Sequence, residues 1–270
     1  MKTCLILGSR GFIGSALAAE AAAQGWNVTA VDRANYAACR GARADILIHA
    51  AGNARKYVDE QDPVSGYALS VTSVMQALHD FTYETYVQLS SGAVYPDEGC
   101  PARNAEDTAL DPARMTRYGC HKWLAEQLVR QYAPRRVILR LGGFVGPGLK
   151  KNAVYDLLSG GPLHVHPDSA FQYLDTRDLA RLLLPLAAAA PDGETLLNCS
   201  ARGVVSVRRM AAWAGRALTD ADHRQPLVRA ELNVARAARL LALPATDETV
   251  ARFIEAVRRG TLALGKAPRP

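Results

Sequence analysis

The feature that most constrains the fold is a glycine-rich turn close to the N-terminus. The short apolar run Cys4–Leu7 leads through Gly8, Gly11 and Gly14 into an alanine-rich segment with helical character. Strand, glycine turn and helix in this order are typical of a dinucleotide-binding unit. There the first glycine permits the turn, the second lets the backbone approach a pyrophosphate, and the third lets the helix pack on the strand. The turn therefore predicts a cofactor site.

The residues around this turn bear on which dinucleotide binds. Phe12 and Ile13 would open the helix, where unpaired backbone N–H groups favour phosphate. The next apolar run ends at Asp32, whose carboxylate can accept both hydroxyls of an adenosine ribose and would repel a 2′-phosphate. Arg10 and Arg33 act the other way, because either guanidinium can pair with a 2′-phosphate. NAD is favoured, and NADP stays open.

Alternating strand-like and helix-like segments predict the fold class. Apolar runs at 27–31, 46–49, 86–91 and 136–141 alternate with helical segments that include 63–80 and 116–132. This order predicts an α/β fold with a Rossmann-type, doubly wound parallel sheet. We expect a dinucleotide-binding domain over 1–148 and a small, mostly helical C-terminal substrate lobe over 149–270, with 175–200 returning to the first domain. The small residues Ala50, Ala51 and Gly52 would let a dinucleotide lie against the end of the third strand.

A tyrosine and a lysine four residues apart form the candidate catalytic pair. If Tyr118 begins a helix, Lys122 lies one turn later on the same face. A phenol titrates near pH 10, and a neighbouring ammonium group lowers that pKa by stabilising the phenolate. Ser91, at the C-terminal end of a predicted strand, would hold a substrate oxygen while Tyr118 passes a proton to or from it. The predicted core face of the helix is Trp123, Leu124, Leu128 and Val129.

Composition and charge argue against several other classes of protein. The five cysteines are scattered without a CxxC pair, which argues against a disulfide framework and a zinc site. The net charge of +6 arises from dispersed arginines, a pattern of solvated helix faces and not of a nucleic-acid surface. The sequence predicts neither a signal peptide nor a membrane span, so we expect a cytoplasmic location. His164 and His166 would share a face of a strand over 163–166, where a strand edge or substrate contact is favoured over a metal.

Together these motifs resemble the extended short-chain dehydrogenase/reductases of the NAD-dependent epimerase/dehydratase family. The resemblance spans roughly residues 3–200. It is carried by the glycine turn, Asp32, 49–51, 89–95, the Tyr118-x-x-x-Lys122 pair, 140–141 with 146–148, and 173–180.

The resemblance assigns roles to individual residues. It implies a catalytic set of Ser91, Tyr118 and Lys122, of which Lys122 also binds the nicotinamide ribose. It places Leu89, Leu141 and Gly142 in the cofactor site. It implies a substrate site formed by Ser91, Gly92, Tyr118 and Gly143, and a homodimer assembled through the helices at 63–80 and 116–132.

The sequence also departs from the family pattern. Only 12 residues separate Asp32 from Asp45, too few for the helix and third strand that the family usually has there. Ser70 stands where many members have an asparagine that supports proton relay. Gly143 and Phe171 stand where sugar-nucleotide enzymes often have an asparagine and an arginine.

The leading hypothesis is an NAD(P)-dependent oxidoreductase that moves hydride to or from a sugar carbinol or ketone, in particular a nucleotide-linked sugar. Reduction or epimerisation is favoured over dehydration, because Gly92 and Ala93 stand where a dehydratase usually carries an acid. One alternative is a dehydrogenase or reductase of a small free sugar, sugar acid or other hydroxy compound. Another is a non-catalytic dinucleotide sensor.

Overall fold

A six-stranded parallel sheet forms the centre of the protein. The computed structural model describes residues 1–53 and 56–266. The strands of the sheet are β1 (Thr3–Leu7), β2 (Asn27–Val31), β3 (Arg43–His49), β4 (Thr82–Ser91), β5 (Arg135–Leu141) and β9 (Gly193–Cys199). They lie in the order β2-β1-β3-β4-β5-β9. The predicted Rossmann-type sheet is confirmed.

Helices connect these strands. They are α1 (Phe12–Ala23), α2 (Tyr36–Cys39), α3 (Lys56–Gln61), α4 (Pro63–Tyr67), α5 (Ser73–Asp80), α6 (Arg117–Tyr132) and α8 (Thr176–Ala188). A buried cluster joins one face of the sheet to α5 and α6, with Leu5 and Leu47 from strands against Val74 and Ala125 from helices. Burial of this apolar surface holds α6 in a fixed position against the sheet.

Only 12 residues separate Asp32 from Asp45, and the structure shows no room there for an additional helix and strand. The segment contains one helical turn, α2, and then leads directly into β3 at Arg43. β2 is therefore an edge strand that pairs with β1 alone. Three of its five side chains are exposed.

The predicted helix at 63–80 contains a local irregularity. Residues Ala68–Thr72 form a π-helical turn between α4 and α5. Such turns interrupt the regular hydrogen-bond ladder and are frequent at functional sites. Ser70 lies in this turn, and its buried hydroxyl has no hydrogen-bond partner among the described residues.

The chain forms two compact units. The first comprises Met1–Pro96, Glu106–Leu141 and Leu179–Asn198; the second comprises Asp97–Ala105, Gly142–Asp178 and Cys199–Pro270. Residues 267–270, at the end of the predicted lobe, lie outside the described residues. The assignment of dinucleotide binding to 1–148 and of substrate binding to 149–270 stays a prediction.

The second unit combines short strands with helices. The strands are β6 (Gly143–Val145), β7 (Ala170–Phe171), β8 (Tyr173–Asp175), β10 (Val205–Ser206) and β11 (Arg229–Ala230). The helices are α7 (Ala153–Ser159), α9 (Val207–Ala214), α10 (Asp220–His223), α11 (Ala235–Leu240) and α12 (Thr246–Arg258). β6 pairs with β8, while β7 lies between β10 and β11.

The predicted strand at 163–166 is wrong. This segment has no regular structure and is bounded by Pro162 and Pro167, which remove backbone donors from both ends. His166 accepts a hydrogen bond from the Asp168 N–H at 3.1 Å, as in a tight turn. Within 1–53 and 56–266, no group of three or more His, Cys, Asp or Glu side chains is arranged to hold a metal ion. No helix in those ranges is both long and apolar enough to cross a membrane.

Candidate active site

The glycine turn lies against the end of β3 with no room for side chains. Gly8 has a φ of +77°, and a Cβ atom there would lie 2.8 Å from the Ala51 Cα. A Cβ atom at Gly14 would lie 2.1 Å from the Gly8 carbonyl oxygen, so only glycine lets α1 pack this closely. Gly11 is the N-cap of α1. The first N–H groups of the helix, at Phe12 and Ile13, therefore face outward without an intrahelical acceptor.

Asp32 lies at the end of β2 and pairs with Arg10. Arg10 Nε lies 2.6 Å from the Asp32 carboxylate. The same carboxylate accepts the N–H of Ala34 at 2.7 Å, which fixes its direction. Arg10 and Arg33 are both exposed. Asp32, which favours NAD, and Arg10, which can pair with the 2′-phosphate of NADP, are thus neighbours. The Arg10 guanidinium helps to hold the Asp32 carboxylate in place.

The ends of β3 and β4 surround the Lys122 ammonium group. Lys122 Nζ donates to the Leu89 carbonyl of β4 at 3.3 Å. A Cβ atom at Gly52, which follows β3 with a φ of +117°, would lie 3.8 Å from the same nitrogen. Ala50 and Ala51 are partly exposed beside it. The ammonium group therefore lies where the glycine turn and the small residues after β3 meet.

A close approach of α6 brings Tyr118 beside the turn that follows Ser91. Thr116 caps α6 by accepting the Gly119 N–H at 3.1 Å. A Cβ atom at Gly119 would lie 2.0 Å from the Ala93 carbonyl oxygen, so the helix backbone lies directly on the turn Gly92–Val94. Ser91 precedes that turn, and its Oγ accepts the Ala93 N–H at 3.2 Å. Ser91 and Tyr118 are thereby brought to the same end of β4.

Lys122 is one helical turn from Tyr118, and both side chains are buried. The Lys122 Nζ lies 5.8 Å from the centroid of the Tyr118 ring. Burial lowers the pKa of Lys122 to about 8, although Asp59 and Glu126 act to raise it. The pKa of His49 falls to about 4, because of burial and then the nearby Lys122 charge, so the imidazole is neutral near pH 7.

The comparison with known families settles the class of the chain. The sequence profile of the NAD-dependent epimerase/dehydratase family matches residues 4–197. The chain belongs to this family. The predictions of an enzyme and of NAD as its cofactor are confirmed at this level, because the family consists of NAD-dependent enzymes. Among curated protein sequences, none matches the chain.

Solved structures of family enzymes share the fold. MoeE5 in complex with UDP-glucose and NAD has a TM-score of 0.76 at 23% identity, covering 96% of this chain and 99% of that one. A UDP-galactose 4-epimerase has a TM-score of 0.74 at 20% identity, with coverage of 96% and 99%. The dTDP-4-dehydrorhamnose reductase from Bacillus anthracis, in complex with NADP, has a TM-score of 0.75 at 17% identity, with coverage of 94% and 98%. The TM-scores show that the chain shares the fold of these enzymes.

The glycine turn in this family member fits the family's cofactor. At Gly8, Gly11 and Gly14 a Cβ atom would lie 3.0 Å or less from backbone atoms of the protein, so this tight turn requires glycine at each position. The N-terminus of α1 offers N–H groups to a pyrophosphate. Asp32, directly after β2, would supply a carboxylate for the ribose. These residues, with Ala50, Ala51 and Gly52 after β3, would hold the dinucleotide.

Sequence reasoning missed a buried polar network behind the candidate catalytic set. Glu126 is fully buried and accepts two bonds from Arg140, at 2.8 and 3.1 Å, and one from the Ser90 hydroxyl at 2.6 Å. Arg140 also donates to the Tyr95 hydroxyl at 2.8 Å, and Tyr95 donates to Asn198 at 2.9 Å. Glu126 lies four residues after Lys122, so helical spacing alone would have placed both on one face. The network ties α6 to β4 and β5.

The predicted core face of α6 is correct at two of its four positions. Val129 is buried and the partly exposed Leu128 packs against the same core cluster, whereas Trp123 and Leu124 are partly exposed. The buried face of the helix is formed mainly by Ala125, Val129, Tyr118, Gly119, His121, Lys122 and Glu126. His121, Lys122 and Glu126 can be buried because each meets a partner from another element.

The remaining predicted residues lie at the end of β5 and in the second unit. Leu141 ends β5 and is buried. Gly142 donates its N–H to the Cys199 carbonyl at 3.2 Å. A Cβ atom at Gly143 would lie 2.7 Å from the Gln172 carbonyl oxygen and 2.8 Å from the ring of Tyr173. An asparagine at position 143 is therefore excluded by the packing of β8 and the residue before it.

Proposed function

We propose that this chain is an NAD-dependent oxidoreductase of the epimerase/dehydratase type that acts on a carbinol or ketone carbon of a nucleotide-linked sugar. The observation that carries the proposal is the buried Lys122 ammonium group, 5.8 Å from the centroid of the Tyr118 ring. Burying a charge is costly unless it is paired and hydrogen-bonded, and Lys122 has both the Leu89 carbonyl as acceptor and the acids Asp59 and Glu126 nearby. A phenol beside a buried ammonium group is suited to proton transfer near neutral pH.

Each member of the catalytic set has a distinct role. The Tyr118 hydroxyl gives a proton to the substrate oxygen during reduction and takes it back during oxidation. Lys122 stabilises the phenolate that remains, and the Ser91 hydroxyl donates a hydrogen bond to the same substrate oxygen. When bound, NAD supplies or accepts the hydride. Arg10, Phe12, Ile13, Asp32, Leu89, Leu141 and Gly142 are the further residues proposed to hold it.

Reduction or epimerisation fits the site better than dehydration. Gly92 and Ala93 form the buried turn directly after Ser91, and neither carries an acid. Structures of the same fold contain UDP-glucose and UDP-glucuronic acid, which supports a nucleotide-linked sugar. NADP stays a candidate, because Arg10 and Arg33 can pair with a 2′-phosphate.

A small free sugar or sugar acid is the second candidate. It is favoured by Gly143, where the Tyr173 ring leaves no room for an amide side chain. It is also favoured by Phe171, which stands at a position where sugar-nucleotide enzymes often carry an arginine. Thermal shift separates the two candidates, since a ligand that binds the folded state raises the melting temperature. Stabilisation by UDP-glucose supports the first candidate, and stabilisation by free glucose or glucuronic acid alone supports the second.

Turnover tests the mechanism directly. The NAD-loaded protein is incubated with UDP-glucose, UDP-galactose, UDP-glucuronic acid and the corresponding free sugars, and sugar products and NADH are measured. Tyr118→Phe should abolish turnover while NAD binding persists. Tyr132→Phe, an exposed tyrosine at the far end of the same helix, is the matched control and should keep full activity. An unchanged rate in Tyr118→Phe would refute the mechanism.

We further propose a homodimer. Val64, Tyr67 and Leu69 are exposed apolar residues on the α4 and π-helical segment, and Val64 is 80% exposed. Exposed apolar patches on helices commonly mark protein interfaces, and a second copy of the chain would cover this one. Light scattering should give twice the mass of one chain. A cytoplasmic location stays a prediction.

A further inference from the structure

A carboxylate outside the predicted site is buried beside it. Asp59 on α3 has no exposed surface, which is rare for an acid. One of its oxygens lies 2.6 Å from the His121 Nδ1, and the Asn53 amide donates to the other. The Asp59 carboxylate is thus aimed at α6 and held there by two side chains.

The fold is adapted to enclose this carboxylate. A Cβ atom at Gly66 on α4 would lie 2.6 Å from the Asp59 Oδ1 and 3.1 Å from its Cα. Only a glycine lets α4 close over Asp59 in this way. The Tyr67 ring, with its centroid 5.6 Å from that of His121, covers the histidine from the same side. Because water is excluded, the charge of Asp59 acts on its surroundings with little screening.

The nearest functional consequence concerns Lys122. The segment after β3 contacts both groups: Asn53 donates to the Asp59 carboxylate, and a Cβ atom at Gly52, the residue before it, would lie 3.8 Å from the Lys122 Nζ. Glu126, the other carboxylate near Lys122, is already engaged by Arg140 and by the Ser90 hydroxyl. Asp59 is held by the neutral Asn53 amide and by His121, and of the two acids it raises the pKa of Lys122 more.

We propose that Asp59 is a positioning residue whose buried carboxylate, held by His121 and enclosed at Gly66, keeps the Lys122 ammonium group protonated. The proposal rests on the function proposed for Tyr118 and Lys122, since it explains how a buried lysine stays charged when the enzyme works. Without Asp59 the ammonium group would lose its proton at lower pH, and Tyr118 would lose the charge that stabilises its phenolate.

The other groups that face Lys122 do not replace this charge. From β3, His49 is neutral near pH 7 because its pKa is lowered to about 4. From β4, the Leu89 carbonyl accepts a hydrogen bond but carries no net charge. From α6 itself come the Tyr118 phenol and Glu126. The acids Asp59 and Glu126 both raise the pKa of Lys122 against the larger lowering effect of burial.

Direct titration of Lys122 tests the proposal without any substrate. The chain has six lysines, so a protein labelled with carbon-13 at the lysine Cε gives few signals, and Lys122→Met identifies the one from Lys122. Asp59→Asn should lower the pKa of Lys122 by about one unit, as expected for loss of a nearby opposite charge. Glu60→Gln is the matched control, because it removes the same charge from the adjacent, exposed residue of α3. It should leave the pKa of Lys122 unchanged.

The outcomes separate this inference from the proposed function. An unchanged Lys122 pKa in Asp59→Asn, or an equal shift in Glu60→Gln, would overturn the inference even if the enzyme turns over sugars. A specific shift would support it even if no sugar reacts. If Asp59→Asn does not fold, Asp59→Ser is the second variant, since its small hydroxyl leaves room for water beside His121, and the same fall is expected.

Discussion

The buried Lys122 charge should lower the free energy of unfolding, and the size of this loss should depend on pH. Burial lowers the pKa of Lys122 from an ordinary 10.5 to about 8. A fall of about 2.5 in pKa corresponds to roughly 3 kcal/mol, at about 1.36 kcal/mol for each unit. Lys122→Met, which keeps most of the apolar stem and removes the charge, should therefore be more stable than the wild type near pH 7.

The sign of the pH dependence follows from proton linkage. Between about pH 8 and pH 10.5 the unfolded chain holds the Lys122 proton while the folded protein has released it. The folded state of the wild type therefore gains stability as pH rises through this window. The advantage of Lys122→Met should fall from roughly 3 kcal/mol near pH 7 to roughly 1 kcal/mol near pH 10.

Urea denaturation of both proteins at the two pH values measures this change. All other titrating groups are common to the two proteins, so the difference between their unfolding free energies isolates Lys122. Lys56→Met, which changes an exposed lysine, is the control and should show no comparable pH-dependent difference. A difference between wild type and Lys122→Met that stays constant between the two pH values would refute the desolvation argument.

Two further variants test the surroundings of the site. Glu126→Gln should cost about 3–5 kcal/mol in unfolding free energy, because it leaves Arg140 buried without its counter-charge. In Glu255→Gln, which breaks the exposed pair with Arg259, the cost should be at most about 1 kcal/mol; equal costs would contradict the account. Asp32→Asn should raise the ratio of NADP to NAD affinity about tenfold or more in calorimetric titrations, because the repulsive carboxylate is gone while Arg10 remains. An unchanged ratio would show that Asp32 does not select the cofactor.

Much of the sheet could be predicted from local sequence. The strand β1, the glycine turn and α1 could be predicted because each is formed by residues that are adjacent in the chain. The spacing of the three glycines is that of a dinucleotide-binding turn. The edge position of β2 follows from counting, since 12 residues between Asp32 and Asp45 cannot form a further helix and strand. The spacing of Tyr118 and Lys122 placed both on one face of α6.

The buried face of α6 could not be predicted in the same way. Hydrophobic periodicity assigns apolar residues to the core, yet His121, Lys122 and Glu126 are buried. Their partners come from distant parts of the chain: Asp59 is 62 residues from His121, and Ser90 is 36 residues from Glu126. No local pattern contains such pairings, because they are created only when the strands and helices assemble.

The central claim is that the Lys122 charge makes the Tyr118 phenol acidic enough for proton transfer. The most direct measurement is the ultraviolet absorbance of tyrosinate as a function of pH in the NAD-loaded protein, taken as the difference between wild type and Tyr118→Phe. The account predicts a Tyr118 midpoint at or below about 8, where Lys122 still carries its charge, and its return to 10 or above in Lys122→Met. A midpoint at or above 10 in the wild type would contradict it.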